Sequence, residues 1–319
     1  MGLVGTGWIT PLHLRALARL GRTELVGVVS RTIERATAVI STWGGRPFDD
    51  IERMLDEARP DAVFVCQPPY LAAEACIEVV ERGLPLFTEK PLAAVRSDVE
   101  RASAALDGRD VVTAVGYQWR AIDFVADVRR RLDDRPARLV LARWTGDTPG
   151  PSWWRRADQS GGQVVEQATH LFDLARYLLG EGEVVGAASA RYERPDYPDF
   201  DVDAVASSVV RFESGAIGSF TSTSILPAGV VEFELISEGL RQVIRLAASA
   251  TGQSWSLETS DGAERSLETS RRDAYETEDE AFLDAVESGD PTRVFCTYED
   301  AMRTDELTRA VVAASGSRG

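Results

Sequence analysis

The first third of the chain alternates short apolar runs with amphipathic segments, and this alternation limits the available folds more than any other feature. The runs cover 3–5, 24–30, 62–66, 84–88 and 111–116, and residues with helical spacing separate them. Runs that are apolar throughout indicate strands buried on both faces. The pattern therefore predicts an α/β domain, a doubly wound parallel sheet with helices on both sides, which is an architecture typical of nucleotide binding.

The pattern changes after about Tyr117. Helical spacing is predicted over 121–132 and 169–179, and alternating, mostly antiparallel strands follow over 184–192, 203–212, 216–224, 230–237, 241–246 and 254–258, before two helices over 274–288 and 298–314. A single core stops growing at about 250 to 300 residues, and the chain has 319. We therefore predict two domains, 1–117 and 118–319, the second an α+β domain with a large open sheet.

Composition excludes several classes of partner. The net charge of −16 repels nucleic acid and anionic lipid surfaces, and no apolar run approaches the ~18 residues that span a bilayer. The three cysteines form no C-x-x-C pair, which suits a reducing compartment and argues against a disulfide framework. We expect a cytoplasmic protein. The first apolar run starts almost at Met1, so a native start further upstream stays open.

A glycine-rich turn follows the first predicted strand. Gly5 permits a tight turn, and Gly7 lets the main chain approach a pyrophosphate at the start of the next helix, with Trp8 and Ile9 beside it. Thr10 stands where the dinucleotide fingerprint has Gly or Ala. The position of this turn in the first βα unit predicts a dinucleotide site.

The second predicted strand ends in Ser30-Arg31. An acidic residue here would bind the free 2′-hydroxyl of NAD, whereas a hydroxyl and a guanidinium suit a 2′-phosphate. We therefore expect NADP as the preferred cofactor and NAD as the alternative.

Two further strands also end in polar residues at the edge where ligands of such sheets gather. One is followed by Gln67-Pro68 and the other by Glu89-Lys90-Pro91, and Lys90 is the only lysine beside 34 arginines. An ammonium can be tuned to give up a proton near neutral pH and a guanidinium cannot. Lys90 is therefore a candidate acid or base, and a salt-bridged loop lysine is the alternative.

A second group of candidates follows a Gly161-Gly162 turn. Glu166, His170 and Asp173 have the spacing of one helical face, and the chain has only one other histidine, His13. An imidazole flanked by carboxylates is a candidate for proton transfer, and a capped core histidine is the alternative. The H-E-x-x-H spacing of a zinc site is absent, so we expect no metal.

These motifs together resemble the Gfo/Idh/MocA oxidoreductase family. The resemblance rests on Gly5 to Gly7, Glu89-Lys90-Pro91, Gly116-Tyr117 with Arg120, the Gly-Gly…His…Asp segment and residues 281–286. It implies a Rossmann domain, a C-terminal sheet used for homodimer or homotetramer contacts, and NAD(P)-dependent oxidation or reduction of sugars, cyclitols or related polyols. It also implies that Lys90 and His170 are the catalytic pair, assisted by Glu166.

Residue type and position along the chain predict the remaining binding residues. The expected cofactor contacts also include Gln67, Pro68, Glu89, Lys90 and Gln118. Substrate contacts are expected from Tyr117, Arg120, Trp153, Trp154, Glu166, His170 and Asp173. For Trp153 and Trp154 the alternative is that a loop tryptophan covers its own core. The chain departs from the family where Glu166 replaces the usual Asp, and where Pro69 and Ala72 replace the usual Asn and His. Because Glu is one methylene longer than Asp, we expect the contact of Glu166 with the substrate or His170 to be shifted.

Three alternative functions stay open. One is a nucleotide-binding regulator without catalysis, although a sensor has no need of Lys90 and His170. Another is an enzyme that uses transient oxidation by bound NAD(P) to assist elimination or glycoside cleavage. A dihydrodiol-type dehydrogenase is a nearer variant.

Overall fold

The computed structural model describes residues 1–249 and 252–316, and the chain forms two compact units. The first unit contains Met1–Ala121 and Asp273–Met302. The second contains Ile122–Arg272 and the chain from Arg303 onward. The chain therefore leaves the first unit and returns to it.

The first unit is built on a six-stranded sheet. Its strands are β1 (Gly2–Val4), β2 (Gly27–Val29), β3 (Arg46–Phe48), β4 (Val63–Val65), β5 (Leu86–Thr88) and β6 (Thr113–Val115). They lie in the order β3-β2-β1-β4-β5-β6, and all neighbouring pairs are parallel. The predicted doubly wound parallel sheet is confirmed.

Helices follow the strands of this sheet. They are α1 (Thr10–Leu20), α2 (Ile33–Trp43), α3 (Ile51–Ala58), α4 (Pro69–Glu81) and α5 (Arg96–Leu106). Alternate strand residues face two different apolar clusters, with Leu3 and Phe64 in one and Val4 and Val65 in the other. Burial on both faces explains why the strands are apolar throughout.

The second unit is built on an eight-stranded sheet. Its strands are β7 (Leu139–Thr145), β8 (Gly182–Ala190), β9 (Val205–Phe212), β10 (Ile217–Thr223), β11 (Val231–Ser237), β12 (Leu240–Ser249), β13 (Gly252–Asp261) and β14 (Glu264–Thr269). Their order is β14-β13-β12-β11-β7-β10-β9-β8, and only β7 and β10 pair in parallel. The mostly antiparallel sheet is confirmed.

Four helices of the described chain lie between residues 122 and 272 of the second unit. They are α6 (Val125–Asp134), α7 (Ala157–Ser160), α8 (Gln163–Glu166) and α9 (Thr169–Leu179). The ring of Phe172 in α9 stacks on Phe220 of β10 with the ring centroids 4.4 Å apart. Along β9, Ala206, Ser208 and Val210 are buried, whereas their neighbours are more exposed. One face of the sheet is therefore covered by helix and the other is open.

Two helices end the described chain, α10 (Ala274–Ser288) and α11 (Tyr298–Ala314). Helix α10 packs against α1, and its fully buried Phe282 contacts the rings of Phe64 and Phe87. For this reason residues 273–302 belong to the first unit, whereas the predicted boundary at 117 places them in the second domain. Within the described residues, no helix is both long and apolar enough to cross a membrane.

Candidate functional site

The glycine turn joins β1 to α1. Gly5 has φ +108°, and a Cβ atom there would lie 2.3 Å from the carbonyl oxygen of Cys66, so only glycine fits. The hydroxyl of Thr10 donates to the carbonyl of Gly5 over 3.1 Å and fixes the turn. At Gly7 a Cβ atom would meet no atom within 4 Å. The open side of the turn is therefore wide enough for a pyrophosphate to approach the main chain.

The end of β2 supplies the groups expected at the adenosine ribose. The hydroxyls of Ser30 and Thr6 lie 2.8 Å apart, and Ser30 is buried while Arg31 is exposed. Trp8 is 63% exposed within the turn, beside a half-buried Ile9. A hydroxyl, a guanidinium and an aromatic ring therefore lie near the same glycine turn, and Thr6 is a member that the sequence reasoning missed.

Three strands bring the remaining first-unit candidates to one edge. Val4, Val65 and Thr88 are in register across β1, β4 and β5, and Gly5, Cys66 and Glu89 come next in each chain segment. The carboxyl ends of these parallel strands therefore place Gln67-Pro68 and Lys90 on the same side as the glycine turn. Lys90 is half-buried.

Two buried amide oxygens at this edge could accept hydrogen bonds from a bound ligand. Oε1 of Gln67 and Oε1 of Gln118 are buried and have no hydrogen-bond partner in the part of the chain that the structure describes. The amide nitrogen of Gln118 donates to the hydroxyl of Tyr275 over 3.0 Å, which fixes its direction. Buried polar atoms are nearly always satisfied, so these acceptors and the open Gly7 fit a dinucleotide with donors of its own.

Glu89 belongs to a buried triad of titratable side chains, with His13 and Asp279. Nε2 of His13 is 3.0 Å from Oε1 of Glu89, and Nδ1 is 2.8 Å from Oδ1 of Asp279 in α10. Burial alone lowers the pKa of His13, but the charge and hydrogen bond of Asp279, with the hydrogen bond of Glu89, raise that pKa well above its usual value. Burial raises the pKa of Asp279, and the charge of His13 opposes that rise.

Tyr117 and Arg120 lie inside the first unit. Tyr117 is 1% exposed and Arg120 is 3% exposed. The guanidinium of Arg120 pairs with Asp300 and donates to the carbonyl of Phe295 over 3.0 Å. The structure thus gives Arg120 internal partners, and substrate contact by either residue stays a prediction.

In the second unit, the two adjacent tryptophans have different surroundings. Trp154 is buried in a 3₁₀ turn, Ser152–Arg155, and its indole N–H donates to Oε2 of Glu166 over 2.6 Å. Trp153 is half-buried. Trp154 is thus a partner of Glu166, and substrate contact by Trp153 or Trp154 stays a prediction.

Glu166 and His170 do not share one continuous helix as expected. Helix α8 ends at Glu166, and α9 begins at Thr169 after a break at Gln167 and Ala168. The amide N–H of Ala168 donates to the carbonyl of Gln163, five residues back, so the regular helical ladder is interrupted there. The prediction of one helical face from Glu166 through Asp173 is therefore wrong, although His170 and Asp173 do share α9.

His170 is 4% exposed and packs on an aromatic ring that the sequence reasoning missed. Trp144, at the end of β7, stacks on the imidazole with the centroids 6.0 Å apart and the planes 14° apart. Asp173 is fully buried, and the hydroxyl of Thr304 donates to its Oδ1 over 2.9 Å. A role for Asp173 in substrate binding stays a prediction.

Other members of the site carried only weak signals in the sequence. His13 could be noticed because histidine is so rare here, and it occupies the apolar face of α1. Asp279 and Tyr275 lie more than 250 positions further along the chain, and no local pattern connects them to His13. Among residues 1–249 and 252–316, no group of three or more His, Cys, Asp and Glu side chains could hold a metal ion.

Comparison with known families gives two matches that together cover most of the chain. A family model described as an oxidoreductase family with an NAD-binding Rossmann fold matches residues 1–117. A second, described as the GFO/IDH/MocA C-terminal domain, matches residues 136–239.

Individual relatives are more distant. The chain is 25% identical to levoglucosan dehydrogenase of Pseudarthrobacter phenanthrenivorans over 70% of this chain and 67% of that protein. It is 27% identical to inositol 2-dehydrogenase of Rhizobium meliloti over 90% and 88%. Its fold matches that of a 3-ketoreductase from Actinomadura kijaniata, solved with NADP and TDP-benzene, with a TM-score of 0.85 and 23% identity over 98% and 96% of the two chains.

Proposed function

Because the chain belongs to the GFO/IDH/MocA family of oxidoreductases, we propose that it oxidises or reduces a secondary alcohol or ketone of a sugar, cyclitol or related polyol. The chain is an NAD(P)-dependent oxidoreductase. The observation that carries the proposal is the shared edge of β1, β4 and β5, where the open glycine turn and Lys90 meet. Two curated relatives named for a sugar and a cyclitol support the substrate class.

Residues of the first unit would hold the dinucleotide. The turn from Gly5 to Ile9 would receive the pyrophosphate, Ser30 and Arg31 the adenosine ribose, and Gln67, Glu89 and Gln118 would line the edge next to Lys90. A nicotinamide held at this edge would supply hydride-transfer chemistry. The protein contributes position and charge, and it moves the proton that accompanies the hydride.

The proton is assigned to Lys90 and His170. When the substrate is an alcohol, its hydroxyl proton must leave as the carbon loses hydride, and His170 accepts it on a ring nitrogen. Lys90 donates a hydrogen bond to the same oxygen, which stabilises the negative charge that develops there. We propose that Glu166, which is held by the hydrogen bond from Trp154, contacts the substrate hydroxyls.

Turnover of the Lys90 variant tests this assignment. We expect Lys90→Met to lower kcat about 10²- to 10⁴-fold on any sugar or cyclitol that the unaltered protein oxidises, because the developing charge loses its donor. Dissociation constants for NADPH and NADH, measured by nicotinamide fluorescence, should stay within about twofold. His170→Asn should behave in the same way. An unchanged kcat in either variant removes that residue from the mechanism.

The nucleotide preference is tested separately. Arg31 and Ser30 support NADP, and an arginine bonded to a phosphate contributes roughly 1.5–3 kcal/mol. Arg31→Ala should therefore weaken NADPH binding at least about tenfold and leave NADH binding unchanged. Arg53→Ala, an exposed arginine in α3, is the matched control. Equal dissociation constants for NADH and NADPH in the unaltered protein would rule out the preference.

We also propose that the open face of the eight-stranded sheet joins copies of the chain into a homodimer or homotetramer. Leu141 and Val209 are each about two-fifths exposed and lie in one row across β7, β10 and β9, on either side of Ser219. Sedimentation velocity should show a dimer or tetramer that Leu141→Asp weakens and Ile33→Asp, on α2, does not. A monomer at all concentrations would contradict this. A cytoplasmic location is part of the same proposal and is tested by cell fractionation.

A further inference from the structure

The triad of His13, Glu89 and Asp279 is not used by the mechanism above, yet it contacts the motif that carries Lys90. We propose that His13 is an imidazolium that positions Lys90, by holding the Glu89 carboxylate against the main chain of the Glu-Lys-Pro motif. Asp279 fixes His13 from the other side. This inference rests on the proposed role of Lys90. We call His13, Glu89, Asp279 and Gly116 the Glu89 clamp.

The protonation state follows from the two contacts of the ring. Each ring nitrogen of His13 lies within 3.0 Å of a carboxylate oxygen, and the imidazole is fully buried. A neutral imidazole has one N–H, so one ionised carboxylate would face a bare nitrogen lone pair. With both nitrogens protonated, both contacts become charge-assisted hydrogen bonds.

The surroundings strengthen this charge arrangement. The rings of Phe64, Phe87 and Tyr275 lie 5.0 to 5.7 Å from the imidazole and exclude water. The other titratable groups beside it are neutral, because burial raises the pKa of the Cys66 thiol to about 12 and the pKa of the Tyr275 hydroxyl well above its usual value. His13 is therefore the cation that pairs with both buried carboxylates.

The clamp reaches Lys90 through Glu89. Oε2 of Glu89 accepts the main-chain N–H of Lys90 over 3.1 Å, while Oε1 binds His13. A Cβ atom at Gly116 would lie 2.7 Å from Oε1 of Glu89, the oxygen that also contacts His13. The carboxylate is thus confined by His13, by the Lys90 amide and by the bare Cα of Gly116. A carboxylate held by these three contacts fixes the start of the lysine side chain, which is the requirement for a precisely placed donor.

The protonation state is tested by NMR of isotope-labelled histidine. The chain has two histidines, so His170→Gln leaves His13 as the only signal. We expect both ring nitrogens to stay protonated at about pH 8.5, roughly two units above the ordinary pKa of histidine. In the Asp279→Asn variant, His13 should lose one of its two ring protons below about pH 8.5. A bare ring nitrogen at neutral pH in the protein with intact Asp279 overturns the proposal.

The connection to Lys90 is tested without any activity. Lys90 is the only lysine, so reductive methylation with labelled formaldehyde marks Lys90 and the N-terminal amine alone, and Lys90→Arg identifies the lysine signal. Asp279→Asn and Gly116→Ala should each shift that signal. Asp284→Asn, the same change on α10 in exposed ion pairs with Arg22 and Arg293, should not. An unshifted signal in both clamp variants overturns the proposal, and Gly116→Ala carries the test alone if Asp279→Asn does not fold.

Turnover then separates positioning from general destabilisation. Asp279→Asn and Gly116→Ala should lower kcat roughly 10- to 100-fold, with NADPH binding within about twofold. In a Lys90→Met background they should cause no further loss, because they act through Lys90. A full further loss would indicate a merely structural role. If Lys90→Met itself keeps full turnover, the proposed mechanism fails while the NMR results still decide the clamp.

Discussion

At the residue scale, the contact between Trp154 and Glu166 places a carboxylate in a nearly closed environment. The two groups lie 2.6 Å apart, with Trp154 1% exposed and Glu166 9% exposed. A buried carboxylate needs donors, because desolvation of the charge is costly without them. The indole N–H supplies one, and it also fixes which direction the longer Glu side chain takes.

Trp154→Phe keeps an aromatic ring and removes that donor. We expect the free energy of unfolding to fall by about 2 to 3 kcal/mol, since hydrogen bonds to charged groups contribute roughly 1.5–3 kcal/mol and a smaller ring leaves space. Urea denaturation measures it. Trp153→Phe, at the neighbouring half-buried position, should cost less than about 1 kcal/mol. Equal losses would show that the hydrogen bond contributes nothing.

Sequence alone could not separate these two tryptophans. Trp153 and Trp154 are adjacent, have the same composition around them and differ only in which side of a 3₁₀ turn they occupy. The same holds for Arg120, whose type suits a substrate anion but whose charge is paired with Asp300. Residue type predicted the chemistry available, and the burial that decides its use depends on distant parts of the chain.

At the element scale, the turn between β1 and α1 has two separate requirements for glycine. Gly5 has a positive φ, and its Cβ position is also closed by the carbonyl of Cys66 in the next strand. Gly21, which ends α1, has φ +65° and nothing within 4 Å of its Cβ position. An alanine at Gly21 would therefore cause backbone strain alone, whereas an alanine at Gly5 would cause both backbone strain and steric overlap.

Gly5→Ala should destabilise the protein much more than Gly21→Ala. For Gly21→Ala we expect about 1 kcal/mol, the cost of a left-handed alanine. For Gly5→Ala the strand and the turn must also move apart, and we expect at least about 3 kcal/mol together with loss of nucleotide binding. Thermal unfolding and NADPH titration of both variants measure this. A similar melting temperature for the two would mean that the turn relaxes easily.

Several elements with a strong local pattern were predicted almost to the residue, and others were missed. Helices α9, α10 and α11 match the predicted 169–179, 274–288 and 298–314. The short β3 was not predicted, and neither was β14, whose side chains are mostly exposed. Helix α3 was also not predicted, although its Ile51, Met54, Leu55 and Ala58 have helical spacing. The parallel pairing of β7 with β10 joins strands far apart in sequence, and no local signal specifies it.

At the scale of the whole molecule, several buried groups respond to pH in the same direction. Burial raises the pKa of the Cys66 and Cys76 thiols from 9.0 to about 12. The pKa of Tyr275 rises through burial, and that of His13 through Asp279 despite burial. In each case the folded chain holds its proton more tightly than the unfolded chain. Their contribution to stability is therefore complete at low pH and is lost as pH rises through the folded pKa.

The free energy of unfolding should fall between about pH 9 and about pH 12, where the unfolded thiols ionise and the folded ones do not. Each such thiol steepens the fall by up to about 1.4 kcal/mol per pH unit. Urea denaturation at a series of pH values measures the slope, and Cys76→Ala should make it shallower. A slope that Cys76→Ala leaves unaltered would show that this thiol ionises equally in both states.

The return of the chain to its first unit sets the order in which a ribosome can complete it. The strands of the first sheet emerge within Met1–Ala121, but α10, which covers Phe64 and Phe87, follows only after residues 122–272 have been made. Until then His13 has no Asp279 and the two rings have no Phe282. The nascent chain therefore carries an uncovered apolar patch during much of translation, and a chaperone that holds such segments would bind it there.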